Sequence, residues 1–200
     1  TAMGAHIEYT NDREFTITGV DLFHGATQRV IGDRLEGVSY ASLALATKGS
    51  VMMHGTHDVD MRAYLEFVTG IGAAVTQTES SLSIAWQQPL TGGDIVTGVH
   101  PGFMSDWQQP TTVMLLTAEG RSSVHEAVHD KRFGYVDQLN LMGANIQVED
   151  TTNSAGIPPF VLHETTQIAH IDGPTPLRAA ELTMPDLLAG MAYIIAALLA

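Results

Sequence analysis

Asp106 stands at an abrupt junction. The Gly/Pro-rich run Gly98-Val99-His100-Pro101-Gly102 leads through Phe103-Met104-Ser105 into Asp106, and an apolar run follows from Val113. A carboxylate there has one local task open to it, which is to accept hydrogen bonds from the orphan N–H groups of a helix's first turn. Asp33 and Asp186 stand at matching junctions, Gly32-Asp33-Arg34 and Pro185-Asp186-Leu187. As a set the three aspartates read first as N-caps, and Arg132, in His129-Asp130-Lys131-Arg132-Phe133, reads alone as a surface or capping cation. The nine histidines raise metal binding, because His54 lies close to His57-Asp58 and His125 close to His129-Asp130. His125 and His129 would share one face of a strand. No motif fixes a third ligand, however, and the usual zinc spacings are missing, so no metal site is expected. Phe103 and Trp107, beside Asp106, read as packing residues.

What must position these residues is an internal repeat. Gly4-Ala5-His6-Ile7 recurs as Gly72-Ala73-Ala74-Val75 and again as Gly143-Ala144-Asn145-Ile146. The second and third copies each follow an amphipathic helical pattern (Met61, Leu65, Val68 and Val136, Leu139, Met142) that the glycine stops. Strand patterns come next, and Val75–Thr78 and Leu82–Ala85 flank Glu79-Ser80-Ser81 as a hairpin. Further helices open at Asp33, Asp106 and Asp186, the first two ending at Lys48-Gly49 and Glu119-Gly120 before short strands. The unit thus reads strand, helix, strand, helix, strand, strand. Asp186–Ala200 is apolar on every face and Val113–Ala118 nearly so, which predicts helices inside and sheets outside. Pro110 falls in a first turn, where its missing N–H costs little.

The predicted class is therefore α+β, one domain over 1–200. It is divided into a remnant at 1–18, units at 19–86 and 87–165, and an incomplete unit at 166–200. The helices from Asp33, Asp106 and Asp186 pack together, with four-stranded sheets outside. Residues 151–164 read as a long loop inserted in a hairpin. The repeat starts in the tail of a helix and stops inside a unit, so about two and two-thirds units are expected, as in a piece of a longer protein.

Composition excludes several classes. Hydrophobic residues make up 44% and charged residues 16% of the 200, a globular balance with enough apolar mass for a core. Nine Lys+Arg against 22 Asp+Glu leave a net charge of −13, which argues against a nucleic-acid partner because phosphate binding rests on clustered cations. With no Cys there is no disulfide, thiolate metal site or Cys nucleophile in this chain, a composition compatible with the cytosol. The longest apolar stretch, Leu187–Ala200, is shorter than the roughly 20 residues of a membrane span, and no signal peptide is visible.

The stretches "HPGFMSDWQQP" and "AEGRSSVHEAVHDKRFGYVDQLNLMGANI", together with "VIGDRLEGVSY", closely resemble the C-terminal half of the UDP-N-acetylglucosamine 1-carboxyvinyltransferases. These are the enolpyruvyl transferases that open peptidoglycan precursor synthesis. The resemblance covers nearly the whole chain and is most specific over 98–146. It implies an inside-out prism of β-α-β-α-β-β units, the same architecture that the repeat predicts. The activity it implies is transfer of the enolpyruvyl group of phosphoenolpyruvate to the 3-hydroxyl of UDP-N-acetylglucosamine, in the cytoplasm and with no cofactor.

By matched position, the resemblance places Asp106 beside the sugar 3-hydroxyl, where it accepts the proton as that oxygen attacks C2 of phosphoenolpyruvate. A partly desolvated carboxylate at a loop–helix junction suits this, and positioned proton transfer contributes about 10²–10⁴ in rate. Arg132 matches an arginine near the reacting groups, where a guanidinium holds phosphate or carboxylate bidentately. Asp186 matches a second aspartate of the catalytic region. Val128 and His129 fall where the family contacts the nucleotide-sugar, with His129 replacing an aromatic. A departure follows Asp186: the family pattern Asp-x-Arg is Asp186-Leu187-Leu188 here, so an anion-binding arginine is replaced by Leu188. The family's phosphate-binding lysine, its phosphoenolpyruvate loop and a late arginine match no segment of this chain. The chain is thus expected to be part of such an enzyme, inactive alone, with a missing N-terminal half as partner and an exposed cleft that favours self-association. The alternative is a non-catalytic binding or scaffold module of the same fold.

Overall fold

The computed structural model describes every residue except 12–13, 57, 153–164 and 185, and the side chains at 58, 59, 152, 165 and 188 also lie outside the described set. The inserted loop expected at 151–164 therefore falls almost wholly outside the described residues. The chain forms two compact units, Thr1–Ile31 and Gly32–Ala200. In the first, β1 (His6–Asn11) and β2 (Glu14–Thr18) pair antiparallel, with Tyr9 opposite Phe15 and their rings edge to face at 6.2 Å.

The second unit shows why the repeat exists. Helix α1 (Arg34–Ala46), β3 (Ser50–His54), α2 (Asp58–Gly70), β4 (Ala74–Gln77) and β5 (Ser81–Ala85) come first. They are followed by β6 (Asp94–Gly98), β7 (Phe103–Met104), a 3₁₀ turn at Ser105–Trp107, α3 (Gln108–Leu115), β8 (Gly120–Glu126), α4 (Val136–Leu141), β9 (Ile146–Thr152), β10 (Thr165–Gly173) and α5 (Leu187–Leu199). Apart from the short β7 and the 3₁₀ turn, the order from β6 to β10 is the predicted strand, helix, strand, helix, strand, strand. Strands β6 and β8 run parallel, as a crossover through α3 requires, and β10 lies antiparallel between β8 and β9.

The glycines that punctuate the repeat have a backbone reason. Gly4, Gly72 and Gly143 adopt φ of 97°, 112° and 91°, a region that a Cβ disfavours, and so each turns the chain sharply into the strand that follows. The patterned residues ahead of them, Met61, Leu65, Val68, Val136, Leu139 and Met142, are all buried.

Helices α1, α3 and α5 pack against one another, and every residue of α3 is buried, so the helices lie inside as predicted. Four details differ from expectation. The first sheet of the second unit has three strands, β3-β5-β4, because residues 19–33, which should supply a fourth, form no ladder. That segment is punctuated by Gly19, Gly25 and Gly32, which weaken a strand. The second sheet has five strands, β7-β6-β8-β10-β9, since β7 adds a two-residue parallel pairing to β6. Helix α3 stops at Leu115 rather than near Glu119, and i→i+3 bonds at Leu116, Thr117 and Ala118 tighten its end. Helix α5 buries only one side, through Ala189, Ala192, Ile195 and Ala196.

Candidate active site

Two of the three repeat aspartates are caps. Asp33 has extended backbone angles, and its carboxylate accepts from the Leu35 and Glu36 N–H groups at 2.7 and 3.4 Å; Asp186, also extended, accepts from the Ala189 N–H at 2.8 Å. Asp106 departs from the predicted cap. It sits inside the 3₁₀ turn, and the cap position of α3 falls to Trp107, which makes no side-chain cap bond. The inserted turn thus frees the Asp106 carboxylate from the backbone.

The freed carboxylate faces Arg132. One Nη of Arg132, in the loop between β8 and α4, donates to Asp106 Oδ1 at 2.5 Å, with the Arg and Asp side chains 17% and 31% exposed. Arg132 is the one described residue that bonds this carboxylate. No described residue bonds the other oxygen. Next to Asp106 in sequence, Trp107 is buried in an aromatic cluster: Tyr64, Phe103 and Trp107 stack edge-on or tilted with centroids 5.5–6.4 Å apart. Tyr135 bonds Gln108 Oε1 at 2.8 Å and lies 3.0 Å from Thr112 Oγ1, and burial pushes its phenol well above the ordinary range, so it is a neutral hydrogen-bonding group.

A cavity of about 220 Å³ adjoins the pair. Leu35 and Glu36 from the first turn of α1, Asp106 and Pro110 at the start of α3, and Leu187 and Met191 at the start of α5 line it. The starts of three helices therefore converge on one space, with the Asp33 and Asp186 carboxylates capping two of them. A larger groove of about 400 Å³, lined by Lys131, Asp137, Asp150 and Gln167 among others, contains none of the expected site residues.

Val128 and His129 do not point their backbone N–H groups at that space. Both N–H groups donate to Glu126 Oε1 at 2.9 Å, which leaves carbonyls and side chains for any ligand. His129 lies beyond the end of β8, so it does not share a strand face with His125, whose Nε2 meets Thr166 Oγ1 at 2.8 Å. Among the described residues no group of three or more His, Asp or Glu is placed to hold a metal ion, and His57, beside His54 in sequence, lies outside them. The Leu188 side chain is likewise outside the described set. No described helix is long and apolar enough to cross a membrane.

Glu126, whose carboxylate accepts from both the Val128 and His129 N–H groups, is a buried charge that local sequence reading misses. Its signal was available: Ser122, Val124 and Glu126 alternate onto the buried face of β8, which puts a carboxylate where an apolar residue belongs.

This geometry sits in a chain whose whole length, residues 1–200, matches the family model for EPSP synthase (3-phosphoshikimate 1-carboxyvinyltransferase). The chain belongs to the EPSP synthase family. Among the curated relatives of this EPSP synthase-family chain, the UDP-N-acetylglucosamine 1-carboxyvinyltransferase of Chlamydia abortus is 39% identical over 98% of the chain and 45% of its own length. That of Novosphingobium aromaticivorans is 36% identical over 100% of the chain and 43% of its own length. The chain thus spans about half the length of the curated relatives it matches. Two solved structures share the fold: the enolpyruvyl transferase NikO from Streptomyces tendae, at TM-score 0.79 and 22% identity over 98% of this chain and 44% of that one, and EPSP synthase from Acinetobacter baumannii, at 0.64 and 18% over 99% and 46%.

Proposed function

We propose that residues 1–200 form one domain of an enolpyruvyl transferase that moves the enolpyruvyl group of phosphoenolpyruvate to the 3-hydroxyl of UDP-N-acetylglucosamine. This is a cytoplasmic step of peptidoglycan precursor synthesis. The observation that carries the reading is the Asp106 carboxylate, released from capping and paired with Arg132 at the edge of a cavity where three helices begin. In this reading the free oxygen of Asp106 takes the proton of the sugar hydroxyl as it attacks C2, and Arg132 orients the carboxylate and faces the anionic groups of the second substrate. Val128 and His129 contact the nucleotide-sugar through carbonyls and side chains. Asp186 contributes chiefly as a cap that sets the start of α5 against the cavity. Names of relatives with 36–39% identity support the sugar-nucleotide over the shikimate substrate. The remaining phosphate ligands come from a second half, so the isolated chain is expected to be inactive.

The test is a hybrid in which residues 1–200 replace the matched segment of the Chlamydia abortus relative. It should release phosphate from phosphoenolpyruvate with UDP-N-acetylglucosamine and not with 3-phosphoshikimate; the reverse preference overturns the substrate. Asp106→Asn should lower turnover by roughly 10²-fold or more. Near-normal turnover of that variant in an active hybrid removes Asp106 from the chemistry.

A further inference from the structure

Glu126 is the charged side chain that is fully buried among the described residues, and nothing in the reaction as proposed uses it. Its two oxygens collect four donors. Oε1 accepts from Thr97 Oγ1, Val128 N and His129 N, each at 2.9 Å, and Oε2 accepts from Ser105 Oγ at 2.8 Å. Thr97 Oγ1 in turn accepts from Ala127 N at 2.8 Å. One carboxylate therefore joins β6 through Thr97, the turn that carries Asp106 through its neighbour Ser105, and the loop that leads to Arg132 through two successive backbone amides.

Burying a carboxylate is costly unless donors fill its lone pairs, and an apolar residue would end β8 at no such cost. What the carboxylate adds is a fixed distance between two segments far apart in sequence. We propose that Glu126 is a positioning residue of the site: it clamps the Ser105–Trp107 turn to the 127–132 loop and so sets the Asp106–Arg132 pair. Its effect on turnover rests on the enolpyruvyl transferase reading, whereas its effect on the pair does not. A displacement of about 1 Å at reacting groups is enough to cost on the order of 10²-fold in rate, so a clamp of this kind acts without touching substrate.

The experiment compares Glu126→Gln, Glu126→Ala and Ser105→Ala. Gln keeps an oxygen for Thr97 and the two amides, and its NH₂ donates to Ser105 Oγ, which accepts; Ala removes all four bonds, and Ser105→Ala removes one. In the 200-residue chain, amide exchange at Val128 and His129 should quicken by about five- to tenfold in Glu126→Ala, the equivalent of one lost hydrogen bond, and stay slow in Glu126→Gln. Nitrogen-15 resonances of the Arg132 guanidinium should lose the signature of the Asp106 pair in Glu126→Ala and Ser105→Ala and keep it in Glu126→Gln, while the buried Leu139 amide stays protected in all. If Glu126→Ala does not fold, Ser105→Ala and Glu126→Gln decide. In the hybrid enzyme, Ser105→Ala should lower kcat with KM for the sugar-nucleotide nearly unchanged, and Glu126→Gln should match the parent. An Arg132 signature that survives Ser105→Ala overturns the clamp. A hybrid without activity overturns the transferase reading alone, since the resonances of the chain still decide the clamp.

Discussion

Replacing Asp33 by alanine removes the acceptor for the Leu35 and Glu36 N–H groups and should cost about 1 kcal/mol of stability. Asp106→Ala forfeits a partly exposed ion pair instead and should cost about 0–1 kcal/mol. Urea denaturation of both variants checks the contrast, and a loss at Asp106 as large as that at Asp33 would restore Asp106 to capping. His125 supplies a pH handle. Burial lowers its pKa below 6.5, against the upward pull of the neighbouring Glu126 carboxylate, so the unfolded chain takes up this proton first. The contribution is intact above 6.5 and lost as pH falls through the folded value. The urea midpoint should therefore fall between about pH 7.5 and about pH 5.5, and His125→Gln should flatten part of the fall. The carboxylate at the loop–helix junction was visible at Asp106 in the sequence, but its release from capping was not, because a 3₁₀ turn of three residues decides it. Glu126 was obscure for a different reason: its four partners, Thr97, Ser105 and the Val128 and His129 amides, are joined only by folding or by a tight turn.

Between one element and the next, the repeat was readable because it demands a residue type that few others can replace. Gly72 and Gly143 end helical patterns at positive φ, and position 143 has no neighbour closer than 3.8 Å to an added Cβ. Gly143→Ala should therefore cost about 1–2 kcal/mol from backbone strain alone, with no clash to relieve. Calorimetric melting checks this, and a neutral or stabilising substitution would mean that the turn tolerates a side chain. Gly92 offers a different mechanism, since an added Cβ would lie 2.3 Å from the Arg121 carbonyl oxygen, at the place where β6 meets β8. Strand number was less readable than helix placement. Residues 19–33 carry apolar side chains without a ladder, and β7 is a two-residue pairing set by the turn at 99–102 rather than by its own pattern.

Across the molecule, the net charge of −13 and the exposed apolar side of α5 pull in opposite directions. Leu187, Ile194 and Leu198 are 89%, 55% and 62% exposed, and with half-buried Met191 they form a stripe at spacings of four, three and four residues. That is the spacing of a helix–helix seam. A contiguous apolar stripe favours association, while the net negative charge opposes it with a range set by the Debye length, about 10 Å at 0.1 M salt. Sedimentation of the 200-residue chain should therefore show a mass that rises with concentration, and more steeply at higher salt. Ile194→Glu puts a charge in the middle of the stripe without touching the buried Ala192, Ile195 and Ala196, so it should abolish the rise and leave the melting temperature nearly unchanged. A chain that stays monomeric at every concentration and salt, or an Ile194→Glu variant that associates as before, would show that the stripe is not the associating surface.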